Sequence, residues 1–183
     1  MPKVSFVVPA YNEAESWPHL WEQLQPVFRQ YPDWELVVVS DGSTDATVSL
    51  VTQAGANEPR IHLVGLRRNR GKSAALMAGF AVVTGEIVVT LDADVQDDPA
   101  EIPKMIAALE QQNVDVVGGW KQNRQDPPIK LLSSKIFNHI ASGIVGQRFH
   151  ELNCGLKVYR RDVLPTLDLY GDLYRFIPIL AVA

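Results

Sequence analysis

Four apolar runs punctuate the first half of the chain: KVSFVVP, ELVVVS, RIHLVGL and GEIVVTL. β-Branched residues dominate GEIVVTL, which with ELVVVS predicts buried strands, and KVSFVVP and RIHLVGL read as strands too. Helical patterns fill the gaps. SWPHLWEQLQPVFRQY is predicted to start at a Ser16 cap, with Trp17, Leu20, Leu24 and Phe28 near helical spacing. TDATVSLVTQAG should end at Gly55, and GKSAALMAGFAVVTG, rich in small residues, at Gly85. In DDPAEIPKMIAALEQQN, Asp98 suits the N-cap and Pro99 the first helical position. VDVVGGW reads as a fifth strand, and KQNRQDPPIK as an irregular linker in which Asp126-Pro127-Pro128 excludes helix. IKLLSSKIFNHIASGIVG then reads as helical, CGLKVYR as a short strand and the remainder as helical. Strands separated by single helices imply right-handed crossovers. The expected architecture is α/β, a mostly parallel, doubly wound sheet flanked by helices, in one domain spanning residues 1–183.

Ligands of open α/β sheets bind outside the carboxyl ends of the strands. There the chain carries PAYNE, SDGSTD, RRNRGKS and DADVQ, after its first to fourth strands. Any one of these is an adequate surface turn or helix cap. On a single sheet edge they become a candidate site. Asp97 and Asp98 suit a helix start, where the dipole is positive. Asp92 and Asp94 are not explained that way. Two apart in extended geometry, they share one face, and carboxylates so close repel unless a cation sits between them. Gly71-Lys72-Ser73 ends like a P-loop, but the position requiring glycine holds Leu66, and the segment follows the third strand rather than the first. No GxGxxG follows the first strand either. Arg67, Arg68, Arg70 and Lys72 could neutralise a pyrophosphate or simply form a solvated turn.

Composition narrows the classes. With 183 residues, 46% hydrophobic and 21% charged, the chain has an ordinary globular balance. A net charge of −4 argues against a general nucleic-acid binder. Cys154 is the sole cysteine, so no internal disulfide forms and a reducing compartment fits; beside Gly155 it reads as a small buried residue. His19, His62, His139 and His150 show no ligand spacing and read as structural. Met1-Pro2-Lys3 runs straight into the first strand, so no signal peptide is expected. No apolar run approaches the roughly 20 residues that span a bilayer.

FVVPAYNEAE, VVVSDGSTDAT, RNRGKSAALMAGFAVVTGEIVVTLDADVQDDPAEIPKM and NCGLKVYRRDVL together resemble the motifs of family 2 glycosyltransferases. The likeness is greatest to the branch related to dolichol-phosphate-mannose synthases, which glycosylates a polyprenyl phosphate. It implies the glycosyltransferase A (Rossmann-like) fold, an inverting mechanism, a UDP- or GDP-linked sugar donor, and Mg²⁺ or Mn²⁺. The family's Asp-x-Asp motif falls on Asp92 and Asp94, with Gln96 also near the metal and Ala93 within the donor site. Pro9, Ala10, Tyr11 and Glu13 map on the loop flanking the nucleoside, and Asp41 on the carboxylate that accepts from the base. Ser40 stands where many members carry a further acid. Asn69, Gly71 and Lys72 fall in the donor-side segment, where a close backbone approach at Gly71 is the alternative reading. On the acceptor side, Lys121, Arg124, Lys130 and Lys135 form a second basic cluster. Arg124 and Ser134 match the residues gripping the acceptor phosphate. Glu151 stands where relatives often carry Asp. Asp172 lies where hydroxyl-glycosylating relatives place a catalytic base. The implied catalytic set is Asp94, Arg124 and Asp172, with residues 1–120 as the nucleotide-sugar and metal half and 121–183 as the acceptor half.

The leading expectation is transfer of a sugar to a polyprenyl phosphate on the cytoplasmic membrane face. The alternatives are a soluble family 2 transferase acting on a glycan hydroxyl, or an inactive nucleotide-sugar binding module. The sequence stops on DLYRFIPILAVA, an apolar stretch with nothing after it. The expectation drawn from it is a truncated piece of a longer membrane-associated enzyme.

Overall fold

The computed structural model describes residues 2–119 and 154–181. In its sheet, β1 (Val4–Ala10) lies between β2 (Trp34–Ser40) and β4 (Ile87–Thr90), with β3 (Ile61–Gly65) beyond β2. These four strands pair in parallel. On the other side β6 (Lys157–Arg160) runs antiparallel to β4, and β5 (Val116–Gly118) runs antiparallel to β6. The mostly parallel, doubly wound sheet is therefore present. The reversed strand β6, counted with the acceptor half from sequence, is inserted between β4 and β5.

Residues alternate between two cores, which is why the strands read as unbroken apolar runs. Phe6 and Val8 of β1 and Leu36 and Val38 of β2 pack on one face against α1 (Trp17–Phe28) and α4 (Ile102–Gln111). Val7, Val37 and Val39 face the other way, against α3 (Lys72–Phe80) and the segment after β6. At the edge of the first core Phe28 stacks on Trp34 with centroids 3.9 Å apart and meets Phe6 edge-on at 5.0 Å. Such aromatic pairs add about 0.5–1.5 kcal/mol each beyond their buried area. The Trp17, Leu20, Leu24 and Phe28 stripe is buried as its spacing predicts.

Several boundaries differ from the sequence reading, each for a local reason. The helix α2 (Thr47–Asn57) runs through Gly55 and closes where Glu58 N donates to Ala54 O at 2.9 Å. Helix α3 stops at Phe80 and does not reach Gly85. The amides of Thr84 and Gly85 donate instead to Glu35 Oε1 at 2.6 Å and to Ser5 Oγ at 2.8 Å, which draws the chain away from the helix. Ser16 does not cap α1: its hydroxyl donates to the Glu13 carboxylate, and no helical amide is bound by its side chain. Asp98 does act as a cap, accepting from Ala100 N at 2.9 Å ahead of a 3-10 turn, Pro99–Glu101, that leads into α4. Strand β4 ends at Thr90, so Asp92 and Asp94 sit in a turn rather than in extended strand. Among the described residues after β6 the chain forms 3-10 turns at Arg161–Thr166 and Leu173–Phe176, and only Ile177–Leu180 (α5) is α-helical. IKLLSSKIFNHIASGIVG and the Asp126-Pro127-Pro128 linker lie outside the described residues.

At the amino ends of the strands a buried carboxylate joins β1, β2 and the turn before β4. Glu35, 5% exposed, accepts from the Ser5 hydroxyl, the Thr84 amide and the Thr84 hydroxyl, and pairs with Lys3 at 3.4 Å. Burial pushes its carboxyl up, but the bonds from Ser5 and Thr84 and the Lys3 charge outweigh that and hold it below its ordinary value. The stability it contributes is complete above its unfolded pKa of about 4.3 and is lost as pH falls through the lower folded value. Glu35→Gln is expected to cost about 1–3 kcal/mol at neutral pH. Urea unfolding should show wild type losing its advantage over the variant between about pH 5 and 3. An equal pH dependence in both proteins would contradict this role.

Candidate active site

The strand order turns back between β1 and β4: successive strands β1, β2 and β3 step one way, and α3 carries the chain across to β4 on the other side of β1. Such a switch point opens a crevice at the carboxyl ends of the two strands. A cavity sits there. Pro9, Ala10, Tyr11 and Glu13 line it from the β1 loop, Asp41 from the β2 loop, and Asn69, Gly71 and Lys72 from the β3 loop. Asp92, Ala93 and Asp94 complete the lining from the β4 turn. The structure thus brings together residues picked from four separate loops, and adds Ala75 of α3.

The loops are tied to one another. Asn12, with a φ of 57°, accepts from Thr44 N at 2.8 Å and donates its amide to Ser43 Oγ at 3.1 Å. Glu13 N donates to Thr47 Oγ1 at 2.8 Å and Ala14 N to Asp45 Oδ2 at 3.0 Å. Asp41 is 4% exposed, and its two oxygens accept from Arg70 N at 2.7 Å and Gly71 N at 2.8 Å. It therefore fixes the start of α3 and retains acceptor capacity on each oxygen. Gly71 has a φ of 88° with open space where a Cβ would lie. Its backbone angle, rather than a close backbone approach, is what calls for glycine there. Arg67, Arg68 and Arg70 are exposed and do not line the cavity; of this basic run only Lys72 reaches it.

The carboxylate turn is the electrostatic centre. Lys72 Nζ forms an ion pair with Asp92 Oδ1 and lies 4.9 Å from the ring centroid of Tyr174. On its other side the Asp92 carboxylate packs against Gly155, where a Cβ would lie only 2.4 Å from Oδ2. Asp94 Oδ1 accepts from Gln96 N at 3.1 Å, and both residues are exposed. Between them Val95 has a φ of 60°, a rare angle for a β-branched residue that costs on the order of 1–3 kcal/mol. Asp97, expected at the helix start, is buried and accepts from Cys154 Sγ at 3.6 Å.

The donor set is hard oxygen, and an ammonium already stands at Asp92 Oδ1, so a cation fits this position. Among the described residues no three acidic, histidine or cysteine side chains group as a metal cluster. Mg²⁺ and Mn²⁺ sites of this kind use one or two carboxylates and complete their shell with phosphate oxygens and water. The two aspartates suit that pattern.

Sequence reasoning missed Gly155, Tyr174 and Lys157. Lys157 is 3% exposed and donates to the Cys154 carbonyl. Burial, and then the nearby Lys72 charge, lower its ammonium to about 8, against the opposing effects of Cys154, Asp92 and Asp97. An alternating strand pattern normally points such a lysine to solvent, so CGLKVYR held no signal of its burial. Tyr174 N donates to Ser73 Oγ at 3.2 Å, which docks the segment after β6 on the start of α3. Gln96 and Asp172 do not line the cavity; Asp172 is exposed at the head of its 3-10 turn. Lys121, Arg124, Lys130, Ser134, Lys135 and Glu151 lie outside the described residues.

Comparisons with known proteins agree with this architecture. The family model described as Glycosyl transferase family 2 matches residues 5–167. The chain is 37% identical over 179 residues to a dodecaprenyl-phosphate galacturonate synthase of Rhizobium johnstonii, covering 96% of this chain and 53% of that one. It is 40% identical over 182 residues to an undecaprenyl-phosphate 4-deoxy-4-formamido-L-arabinose transferase of Photorhabdus laumondii, covering 98% and 55%. The chain thus spans about half the length of these curated relatives. The crystal structure of Mycobacterium tuberculosis glucosyl-3-phosphoglycerate synthase in complex with Mn²⁺, UDP-glucose and phosphoglyceric acid superimposes with a TM-score of 0.77. That likeness, at 20% identity, covers 99% of this chain and 67% of the other and is one of fold. A glycosyltransferase A sheet with a carboxylate turn at its switch point, matched along nearly its whole length, places the chain in glycosyl transferase family 2.

Proposed function

We propose that the chain is the catalytic part of an inverting glycosyltransferase that moves a sugar from a nucleoside diphosphate to a polyprenyl phosphate at the cytoplasmic membrane face. The observation that carries the donor side is the convergence of four strand-end loops on Asp92 and Asp94. The acceptor side rests on the printed names of the relatives at 37% and 40% identity, a dodecaprenyl-phosphate and an undecaprenyl-phosphate transferase. Among the described residues no helix is long and apolar enough to cross a membrane.

In this reading the nucleoside lies along Pro9, Ala10, Tyr11 and Glu13, with Asp41 accepting from the base while holding Arg70 and Gly71. Asp92 and Asp94 would hold a Mg²⁺ or Mn²⁺ ion, with Gln96 in the same turn, and the ion would supply charge that stabilises the departing diphosphate. Lys72 leaves Asp92 for the diphosphate oxygens, an exchange of one anionic partner for another. An oxygen of the acceptor phosphate attacks the anomeric carbon as the bond to the diphosphate breaks, inverting that centre. The nucleoside diphosphate departs with the electron pair. Arg124 and Ser134 hold the acceptor phosphate, which is already ionised near neutral pH, so no general base is required. Transfer to a sugar hydroxyl would need one, and the family resemblance offers Asp172, outside the cavity, for it.

Three outcomes test this reading. Asp94→Asn should lower sugar transfer by about 100-fold or more with little change in unfolding midpoint; normal transfer by that variant, or by wild type in chelator, overturns the metal assignment. Gly155→Ala drives a methyl into the Asp92 carboxylate. It should weaken Mn²⁺-dependent nucleoside diphosphate binding by about tenfold or more, because Asp92 must turn away. Unchanged binding in calorimetry would count against Asp92. Arg124→Ala should raise the KM for a polyprenyl phosphate while leaving donor affinity unchanged, and an equal loss of donor affinity would move Arg124 to the diphosphate side.

A further inference from the structure

Lys157 is a buried ammonium that neither the strand's packing nor the proposed chemistry accounts for. Its place on β6 could be filled by an apolar residue, as Leu156 just before the strand and Val158 and Tyr159 within it are buried. Taking a charge out of water is costly unless nearby groups compensate it. The compensating groups here belong to the carboxylate turn. Lys157 pairs in register with Thr90, two residues before Asp92. Thr90 Oγ1 donates to Gly155 O at 3.1 Å, and Lys157 Nζ donates to Cys154 O, so both brace the Cys154–Gly155 turn. Gly155 in turn bears on the Asp92 carboxylate, and Cys154 Sγ on Asp97.

We infer that Lys157 is a positioning residue for the donor diphosphate: it holds the Cys154–Gly155 turn against Asp92 and supplies a fixed positive charge behind the carboxylates. The inference rests on the reading that Asp92 and Asp94 bind a divalent metal with a nucleoside diphosphate. Hydrogen bonding alone does not require a lysine, because a neutral donor could close the same turn. Charge does. A nucleoside diphosphate and two aspartates together carry more negative charge than one divalent ion cancels; Lys72 pairs with Asp92, and Lys157 lies close enough to Asp92 and Asp97 to interact with their charges.

The test measures binding of UDP and GDP at saturating Mn²⁺ to wild type and to Lys157→Gln, Lys157→Met and Lys157→Arg, together with each unfolding midpoint. Gln keeps a hydrogen-bond donor without charge, and Arg keeps the charge. The expected result is diphosphate binding about tenfold weaker in the Gln variant, near wild type in the Arg variant, with the Gln midpoint little changed. Met should bind as weakly as Gln; if Met does not fold, the Gln and Arg pair still decides. Gln binding like wild type, or Arg binding no better than Gln, overturns the role of charge. A wild type that binds neither diphosphate overturns the underlying donor reading, and the inference with it.

Discussion

Asp92 is the constraint around which the local structure is arranged. A half-buried carboxylate at a strand end must be charge-compensated and aimed, and two separated segments converge to do so. Lys72 from the start of α3 takes one oxygen, Gly155 packs against the other, and Lys157 braces the turn that carries Gly155. Asp41, pinned beneath Arg70 and Gly71, fixes the helix start from which Lys72 projects. In the proposed reading Lys72 gives way to the cation, and the Gly155 and Lys157 contacts keep the carboxylate aimed after it has gone.

The two ends of the sheet divide the work. At the amino ends Glu35 gathers Ser5, Thr84 and Lys3 into a closed network that ties β1, β2 and the approach to β4. Both Glu35 oxygens are taken up by these neighbours. At the carboxyl ends the polar groups are satisfied mainly through exposed or half-buried loops, and Val95 holds a strained angle. In the proposed reading that contrast suits a rigid scaffold with a reactive rim.

Much of this was legible in the sequence because it depends on local pattern. Two-sided burial shows as β-branched runs, Asp98-Pro99 marks a helix start, and the loops after the first four strands could be assigned to one edge from topology alone. Features set by distant contacts were not legible. Helix α3 ends early because Glu35, far away in sequence, captures Thr84. The direction of β6 and the burial of Lys157 follow from insertion between β4 and β5, which the alternation in CGLKVYR does not encode. Gly155 was read only as the neighbour of a small buried cysteine; its need for a bare backbone comes from Asp92, remote in the chain.

The central claim is that a divalent cation and a nucleoside diphosphate meet at the β1–β4 switch point. Paramagnetic broadening of backbone amide signals by Mn²⁺ in the presence of UDP or GDP tests it directly. The account expects broadening centred on residues 91–96, extending to the amides of Tyr11, Gly71 and Gly155. Lys3, Glu35 and Thr84 at the opposite end of the sheet should stay sharp. Broadening centred elsewhere, or none at saturating Mn²⁺ and nucleotide, would contradict it.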